Sequence, residues 1–135
     1  MPSPRIRVLL IEDNPLHAQM IRGMLEDIAH PFFPVERVDT LAAGLSRAGK
    51  GGIDVIMLDL VLPDSQGLDT FFRLKSEVPE IPVVVMTSLD DMTLATRAVE
   101  NGAQDYLLKN QVNSALLSRS LRYAVERARA HSGEW

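Results

Sequence analysis

Four apolar residues stand in a row between two acids in Asp54-Val55-Ile56-Met57-Leu58-Asp59, and this stretch decides the fold. Successive side chains of a β-strand point to opposite faces of the sheet, so an unbroken apolar run predicts a strand that is buried on both faces. Strands of this kind are typical of parallel sheets that helices cover on both sides. The chain has four further short runs that are predicted as strands: Arg7–Ile11, Val35–Val38, Val83–Met86 and Asp105–Leu108.

Helical patterns separate these runs. They are predicted to begin near Pro15, Leu41, Gly67, Asp90 or Asp91, and Asn113. Asn14 is a predicted N-cap because its side chain can accept hydrogen bonds from the helix start, and Pro15 suits the first helical position. Thr40 is predicted to cap the second helix in the same way. In the first helix, apolar residues recur at four-residue steps at Leu16, Met20, Met24 and Ile28, beside Ile21 and Leu25.

Strands that alternate with helices predict a doubly wound α/β fold with five strands, five helices and right-handed crossovers. A chain of 135 residues fits one compact domain, and its 46% of hydrophobic residues is enough for a core.

The composition excludes several classes of function. The chain has no cysteine, which rules out disulfides, thiol catalysis and cysteine-zinc sites. The net charge of −4 gives no reason to expect that this domain binds nucleic acid. The apolar stretch Val8–Ile11 is too short for a signal peptide, and no run approaches membrane-spanning length. We therefore expect a cytoplasmic protein that makes no membrane contact.

Polar side chains follow the predicted strands at the point where each strand ends. They are Glu12 and Asp13 after the first strand, Asp59 after the third, Thr87 and Ser88 after the fourth, and Lys109 after the fifth. Taken singly, each has a structural explanation, because charges appear wherever strands leave a core. Ligands bind at the carboxyl ends of strands in open α/β sheets, so the whole set predicts a site.

The residue types of this set indicate phosphoryl chemistry. Three carboxylates that converge repel one another, so such clusters usually hold a cation, or one member stays protonated. Oxygen ligands without histidine or cysteine suit Mg²⁺. A carboxylate beside Mg²⁺ can attack phosphorus and form an acyl phosphate, while Lys109 neutralises phosphoryl oxygens and Thr87 donates a hydrogen bond.

From about Arg5 to Arg129 the chain resembles the response-regulator receiver family of two-component signalling. The matching stretches are Val8–Asn14, Asp54–Leu60, Leu62–Gly67, Ile81–Thr87 and Gly102–Lys109. The resemblance implies a flavodoxin-like parallel sheet with strand order 2-1-3-4-5. It also implies a single receiver domain over residues 1–135 with its core at about 5–129. Residues 130–135 would be a tail or the start of a linker to an output domain.

The resemblance assigns the chemical roles position by position. Asp59 corresponds to the phosphoacceptor and Lys109 to the lysine that pairs with the phosphoryl group. Glu12 and Asp13 correspond to the acidic pair that serves Mg²⁺, with Asp13 as the direct ligand and Glu12 acting partly through water. The backbone carbonyl of Val61 would complete the metal shell.

The resemblance also implies a switch and partners. Thr87 corresponds to the switch hydroxyl and Tyr106 to the switch aromatic, although an aromatic in an edge strand is more often simple packing. A sensor histidine kinase or phosphotransfer protein would donate the phosphoryl group. The protein would catalyse only its own phosphorylation and dephosphorylation. The face formed by the fourth helix, fifth strand and fifth helix would bind a partner or a second copy, through residues such as Leu94, Arg97, Arg119 and Arg122.

The chain departs from the family pattern at Asn110, which stands where proline commonly follows the lysine, so no cis peptide is expected there. Apolar Val61 and Leu89 flank the site, and we expect them to limit water access and slow hydrolysis of the acyl phosphate. The stretch from Gln111 to Ala130 resembles receivers whose long last helix leads into an output module. The alternatives are a terminal helix that simply frays, or a stand-alone receiver.

Three other functions were considered. A pseudo-receiver would bind partners without phosphorylation, and the intact set of polar residues argues against it. An aspartyl-phosphate phosphatase usually has a second acid two residues after its nucleophile, where this chain has Val61. A nucleotide- or flavin-binding domain would need a glycine-rich turn from strand to helix, whereas Gly49–Gly52 precedes a strand.

Overall fold

A computed structural model of the chain describes residues 5–131, and within them five parallel strands form the central sheet. The strands are β1 (Val8–Ile11), β2 (Val35–Val38), β3 (Val55–Asp59), β4 (Val83–Thr87) and β5 (Asp105–Leu108). Their order across the sheet is β2-β1-β3-β4-β5, so the expected order 2-1-3-4-5 is confirmed. The suggested tail or linker falls mostly on residues 132–135, which lie outside the described residues.

Five α-helices within residues 5–131 cover both faces of the sheet, as a doubly wound fold requires. They are α1 (Pro15–Glu26), α2 (Leu41–Ala48), α3 (Leu68–Glu77), α4 (Met92–Glu100) and α5 (Ser114–His131). The apolar residues of α1 and α5 belong to one core, and those of α2, α3 and α4 belong to the other. Across this described part, no helix is both long and apolar enough to cross a membrane.

Strand β3 supplies both cores, as its unbroken apolar sequence predicts. Val55 and Met57 pack towards α1 and α5, whereas Ile56 and Leu58 pack towards α2, α3 and α4. All four side chains are completely buried. Each such side chain contributes roughly 1.5–3 kcal/mol when it leaves water, so the position of β3 is strongly determined. The strand ends at Asp59, which is its last residue rather than the residue after it.

The predicted helix caps are confirmed. Oδ1 of Asn14 accepts a hydrogen bond of 2.9 Å from the backbone N–H of Leu16, directly after the first helical residue, Pro15. Oγ1 of Thr40 accepts one of 3.1 Å from the backbone N–H of Ala43. Each cap satisfies an amide that has no partner within its own helix. The starts of α1 and α2 are therefore set by these two short polar side chains.

The buried face of α1 differs from the four-residue pattern of its sequence. Leu16 and Met20 are 74% and 38% exposed, whereas Ala18, Ile21 and Leu25 face the core. A helix has 3.6 residues per turn, so a row of four-residue steps drifts around its surface by roughly 40° at each step. The buried stripe therefore follows spacings of three and four residues, and the row that begins at Leu16 starts in solvent.

Helix α4 also begins later than expected. A single 3₁₀ turn occupies Leu89–Asp91, and the α-helix follows from Met92 instead of Asp90 or Asp91. Short 3₁₀ turns are common at the ends of α-helices, and the sequence alone does not distinguish the two.

A small hairpin follows β3 and was not predicted. Val61–Leu62 pairs antiparallel with Ser65–Gln66, and Asp64 lies in the turn between them. The Asp64 carboxylate accepts hydrogen bonds from the backbone N–H groups of Leu41 at 2.8 Å and Ala42 at 2.9 Å. The bonds from Ala42 and Leu41 lower the pKa of Asp64. One side chain thus ties the loop after β3 to the start of α2.

Replacing Asp64 by alanine should lower the free energy of unfolding by about 1 kcal/mol, because two amides at the start of α2 lose their partner. Since the folded-state pKa of Asp64 is lowered, the stability that it provides is present at neutral pH and lost as the pH falls through that pKa. Urea denaturation at pH 7 and at acidic pH measures this difference. Asp39→Ala, at an exposed acid, is the control. An Asp64→Ala deficit that equals the Asp39→Ala deficit, or that persists in acid, contradicts the assignment.

Candidate functional site

The carboxyl ends of β1, β3 and β5 bring three acids and a lysine to one edge of the sheet. A carboxylate oxygen from each of Glu12, Asp13 and Asp59 lies within 4.8 Å of the others. Glu12 and Asp59 are buried and Asp13 is exposed, so the cluster opens to solvent on the Asp13 side. Lys109, which follows β5, reaches the same cluster. The structure therefore brings together four of the residues that the sequence singled out.

Both oxygens of the Asp59 carboxylate have hydrogen-bond partners, although the residue is only 4% exposed. Oδ2 accepts a hydrogen bond of 2.6 Å from Nζ of Lys109. Oδ1 accepts one of 3.0 Å from the backbone N–H of Val61. A buried carboxylate is stable as an anion only with such partners. The side chain is thus held in one orientation at the centre of the cluster.

Lys109 is the cation of the site. Besides its bond to Asp59, its Nζ lies 3.0 Å from Oε1 of Glu12, and its backbone N–H donates to the carbonyl of Thr87. Burial alone would lower the pKa of Lys109, but the hydrogen bond to Asp59 and the negative charges of Asp59 and Glu12 outweigh it and raise that pKa above its usual value. Lys109 therefore stays protonated and offsets part of the negative charge of the cluster.

The environment of Glu12 disfavours the charged form of its carboxyl group. Its burial, and next the adjacent Asp59 carboxyl group, raise the pKa of Glu12 to about 7, with Lys109 acting in the opposite direction. The Lys109 ammonium makes an ion pair with Oε1, but this oxygen has no hydrogen-bond partner among residues 5–131. Nδ1 of His17, 3.8 Å away, likewise has none within that range. Oε1 of Glu12 is thus held by the Lys109 charge and could accept a second cationic partner.

The side chains of Thr87 and Tyr106 make no hydrogen bond to the three acids among residues 5–131. Oγ1 of buried Thr87 donates to the carbonyl of Ser88 at 3.1 Å, within its own loop. Tyr106 is partly buried and packs against the core under α2, α3 and α4. Val61 and Leu89 are 45% and 64% exposed on the loops that flank the site. The roles that the sequence suggested for these four residues stay predictions.

The donor set fits a hard divalent cation. It consists of carboxylate oxygens, one without a hydrogen bond, and no histidine or thiol joins the cluster within the described chain. The side chain of Asp13 has no hydrogen bond or ion pair to any described residue, so it is free to bind an ion. Oxygen ligands of this number and charge suit Mg²⁺.

The Lys109–Asn110 peptide is trans, as expected, because among residues 5–131 only His30–Pro31 is cis.

Two residues near the site escaped the sequence reasoning. Arg37 of β2 donates hydrogen bonds to the backbone carbonyls of Glu12 and Asp13. His17 of α1 lies beside Glu12, as described above. The sequence signal for Arg37 is a charged residue in β2, because β2 was expected to pair with β1 and the two acids follow β1. Nothing in the sequence distinguishes His17 from an ordinary helix-surface residue.

Glu12 should titrate near pH 7 in Mg²⁺-free protein, which carboxyl ¹³C NMR measures directly. Because its folded-state pKa is above the unfolded value of 4.5, its contribution to stability is present below pH 4.5 and is lost as the pH rises through about 7. Lys109→Met should raise the pKa of Glu12 further, because the opposing cation is gone. Lys50→Met, at an exposed lysine, should leave it unchanged. Titration of Glu12 near 4.5 in wild-type protein contradicts this account.

The chain matches known proteins along most of its length. The response regulator receiver domain matches residues 8–120. A probable transcriptional regulatory protein, y4xI of Sinorhizobium fredii, is 33% identical over 114 residues, which are 84% of this chain and 48% of that protein. The chain spans about half or less of the length of such relatives.

Solved structures agree with the sequence matches. A response regulator receiver domain protein of Clostridium thermocellum superposes with a TM-score of 0.80 at 27% identity, covering 93% of this chain and 98% of that one. The receiver domain of the Pseudomonas aeruginosa sensor histidine kinase PA1611 has a TM-score of 0.75 at 25% identity, over 90% and 98% of the two chains. That structure has a magnesium ion coordinated in its active site cleft. The chain belongs to the response regulator receiver domain family of two-component signalling.

Proposed function

We propose that this domain accepts a phosphoryl group on Asp59 from the phosphohistidine of a sensor histidine kinase or phosphotransfer protein. The observation that carries the proposal is the geometry around Asp59. Its buried carboxylate lies 2.6 Å from the Lys109 ammonium and within 4.8 Å of two further acids. A structural ion pair would need only the lysine, so the additional acids indicate a site for a cation.

Glu12, Asp13, Asp59 and the backbone carbonyl of Val61 would hold Mg²⁺. Oε1 of Glu12, whose partner within residues 5–131 is the Lys109 ammonium at 3.0 Å, and the free side chain of Asp13 support this set. Bound Mg²⁺ supplies positive charge that offsets the repulsion between the carboxylates and the incoming phosphoryl oxygens. The magnesium ion in the PA1611 receiver domain gives independent support from a relative.

The transfer itself exchanges one bond for another. A carboxylate oxygen of Asp59 forms a bond to phosphorus, the phosphorus–nitrogen bond of the phosphohistidine breaks, and its electron pair returns to the imidazole ring. Lys109 already lies against Asp59 and would pair with a phosphoryl oxygen as the group arrives. In this scheme the domain is not an enzyme for other substrates, because the acceptor is its own side chain.

Phosphorylation would change the loop after β4. The Thr87 hydroxyl, which now donates to Ser88, would turn to the phosphoryl group, and Tyr106 would move inward behind it. Helix α5 is tied to β5 by a hydrogen bond of 2.9 Å from Ser120 to Asp105, so a shift of β5 reaches that helix. The α4-β5-α5 face would then bind a partner or a second copy. Leu94, Arg97, Arg119 and Arg122 remain its proposed contacts.

Asp59→Asn should abolish phosphoryl uptake. Wild-type protein incubated with acetyl phosphate and Mg²⁺ should gain the mass of one phosphoryl group, and it should bind beryllofluoride only when Mg²⁺ is present. Asp39→Asn, at an exposed acid next to the end of β2, should behave as the wild type. An equal mass gain in Asp59→Asn would reject the acceptor. No gain in wild type would favour a pseudo-receiver that acts through protein contacts alone.

Val61→Asn should shorten the lifetime of the acyl phosphate, because it replaces an apolar side chain beside Asp59 with one that can position water. Val61 is about half exposed on the loop that follows Asp59. The decay of phosphorylated protein after removal of the donor measures the lifetime. Val99→Asn, at an exposed apolar residue of α4, serves as the control. A wild-type lifetime no longer than that of Val61→Asn counts against the hypothesis.

A further inference from the structure

Arg37 is a charged residue in the third position of edge strand β2. Its backbone pairs with Leu10 of the neighbouring strand β1, and its side chain is half buried. Strands of this kind usually carry apolar or β-branched residues, and a partly desolvated guanidinium needs hydrogen-bond acceptors. The acceptors that Arg37 uses lie in the loop between β1 and α1, which carries the acidic pair.

Two donors of the Arg37 guanidinium bind two successive backbone carbonyls. Nε donates to the carbonyl of Glu12 at 3.0 Å, and Nη2 donates to the carbonyl of Asp13 at 3.0 Å. A guanidinium is planar and rigid, so a pair of bonds from one fork fixes the relative orientation of both acceptors. The backbone N–H of Glu12 is held as well, by the carbonyl of Val38 at 3.0 Å. Strand β2 thus anchors the acidic loop on both sides of Glu12.

Asp13 depends on this anchor more than the other acids do. Asp59 is held by Lys109 and by the amide of Val61, and the carboxylate of Glu12 is buried beside Lys109. The Asp13 side chain makes no hydrogen bond or ion pair with the part of the chain that the structure describes. Only the backbone of Asp13 therefore places its carboxylate beside the other acids, and Arg37 holds the peptide group on the carbonyl side of that backbone.

We infer that Arg37 is a positioning residue for the Mg²⁺ site. By binding the backbone carbonyls of Glu12 and Asp13, Arg37 keeps the Asp13 carboxylate directed towards Asp59. The inference rests on the proposed function, because it concerns the same cation. It assigns Arg37 no contact with the ion or with the phosphoryl group.

The chain offers a matched control in Arg22. Arg22 and Arg37 line the same cleft between α1 and β2, of about 530 Å³. Arg22 also donates to a backbone carbonyl of β2, that of Val35 at 3.2 Å, but it does not reach the acidic loop. Loss of either arginine removes one guanidinium from the cleft, and only loss of Arg37 releases Glu12 and Asp13.

The test is Mg²⁺ titration by calorimetry of wild type, Arg37→Gln, Arg37→Lys and Arg22→Gln. Arg37→Gln should bind Mg²⁺ about tenfold more weakly, which is the usual cost of losing a group that orients a metal ligand. Arg37→Lys keeps the charge without the fork, so its affinity should stay close to that of Arg37→Gln. Arg22→Gln should bind as the wild type. In Mg²⁺-free protein, NMR should show faster hydrogen exchange with solvent at the amides of Asp13 and Asn14 in the Arg37 variants than in wild type, and no change in Arg22→Gln.

Three results overturn the inference: wild-type affinity in Arg37→Gln, full rescue by Arg37→Lys, or an equal loss in Arg22→Gln, which would indicate general damage to the cleft. If Arg37→Gln does not fold, Arg37→Lys decides, and wild-type affinity in that variant rejects positioning by the fork. Wild-type protein that binds no Mg²⁺ overturns both this inference and the proposed function. If the wild type binds Mg²⁺ and the Arg37 variants bind it with the same affinity, only this inference is overturned.

Discussion

The ion pairs of Lys109 are the constraint on which the site depends. A buried Asp59 and a buried Glu12 face each other, and one ammonium lies 2.6 Å from the first and 3.0 Å from the second. Two carboxylates cannot both be charged at such a place without a cation, because the cost of desolvation and repulsion is several kcal/mol. With Asp13 added, one lysine faces three acids. The remaining negative charge is what would attract the divalent cation of the proposed function.

The sheet makes this charged cluster tolerable. Strand β3 is buried on both faces and delivers Asp59 at its carboxyl end, and β1 and β5 deliver the acidic pair and the lysine beside it. Because the strands are parallel, the three loops emerge at one edge, where water reaches Asp13. The apolar cores on both sides hold these loop starts in register. The free energy that the apolar cores contribute therefore offsets the desolvation cost of the buried carboxylates.

The strands and the acids at their ends were predictable, because apolar runs and the polar residues that follow them are local signals. The strand order came from the resemblance to the receiver family. The buried face of α1 was not predicted correctly. Leu16 and Met20 lie in a four-residue row that drifts around the helix, and the small side chain of Ala18 gives little hydrophobic signal. The hairpin at Asp64 and the clamp from Arg37 were not predictable in the same way. Each depends on a contact between residues far apart in sequence, 22 to 25 positions for these bonds.

The measurement that tests the central claim most directly locates the phosphoryl group in the sequence. Protein incubated with acetyl phosphate and Mg²⁺ is treated with borohydride, which reduces an aspartyl phosphate to homoserine, and then digested for peptide mass spectrometry. If Asp59 is the acceptor, homoserine should appear at position 59, with Glu12 and Asp13 unmodified in the same sample. Reduction at Asp13, or at an acid outside the cluster, would contradict the assignment of Asp59 as the acceptor.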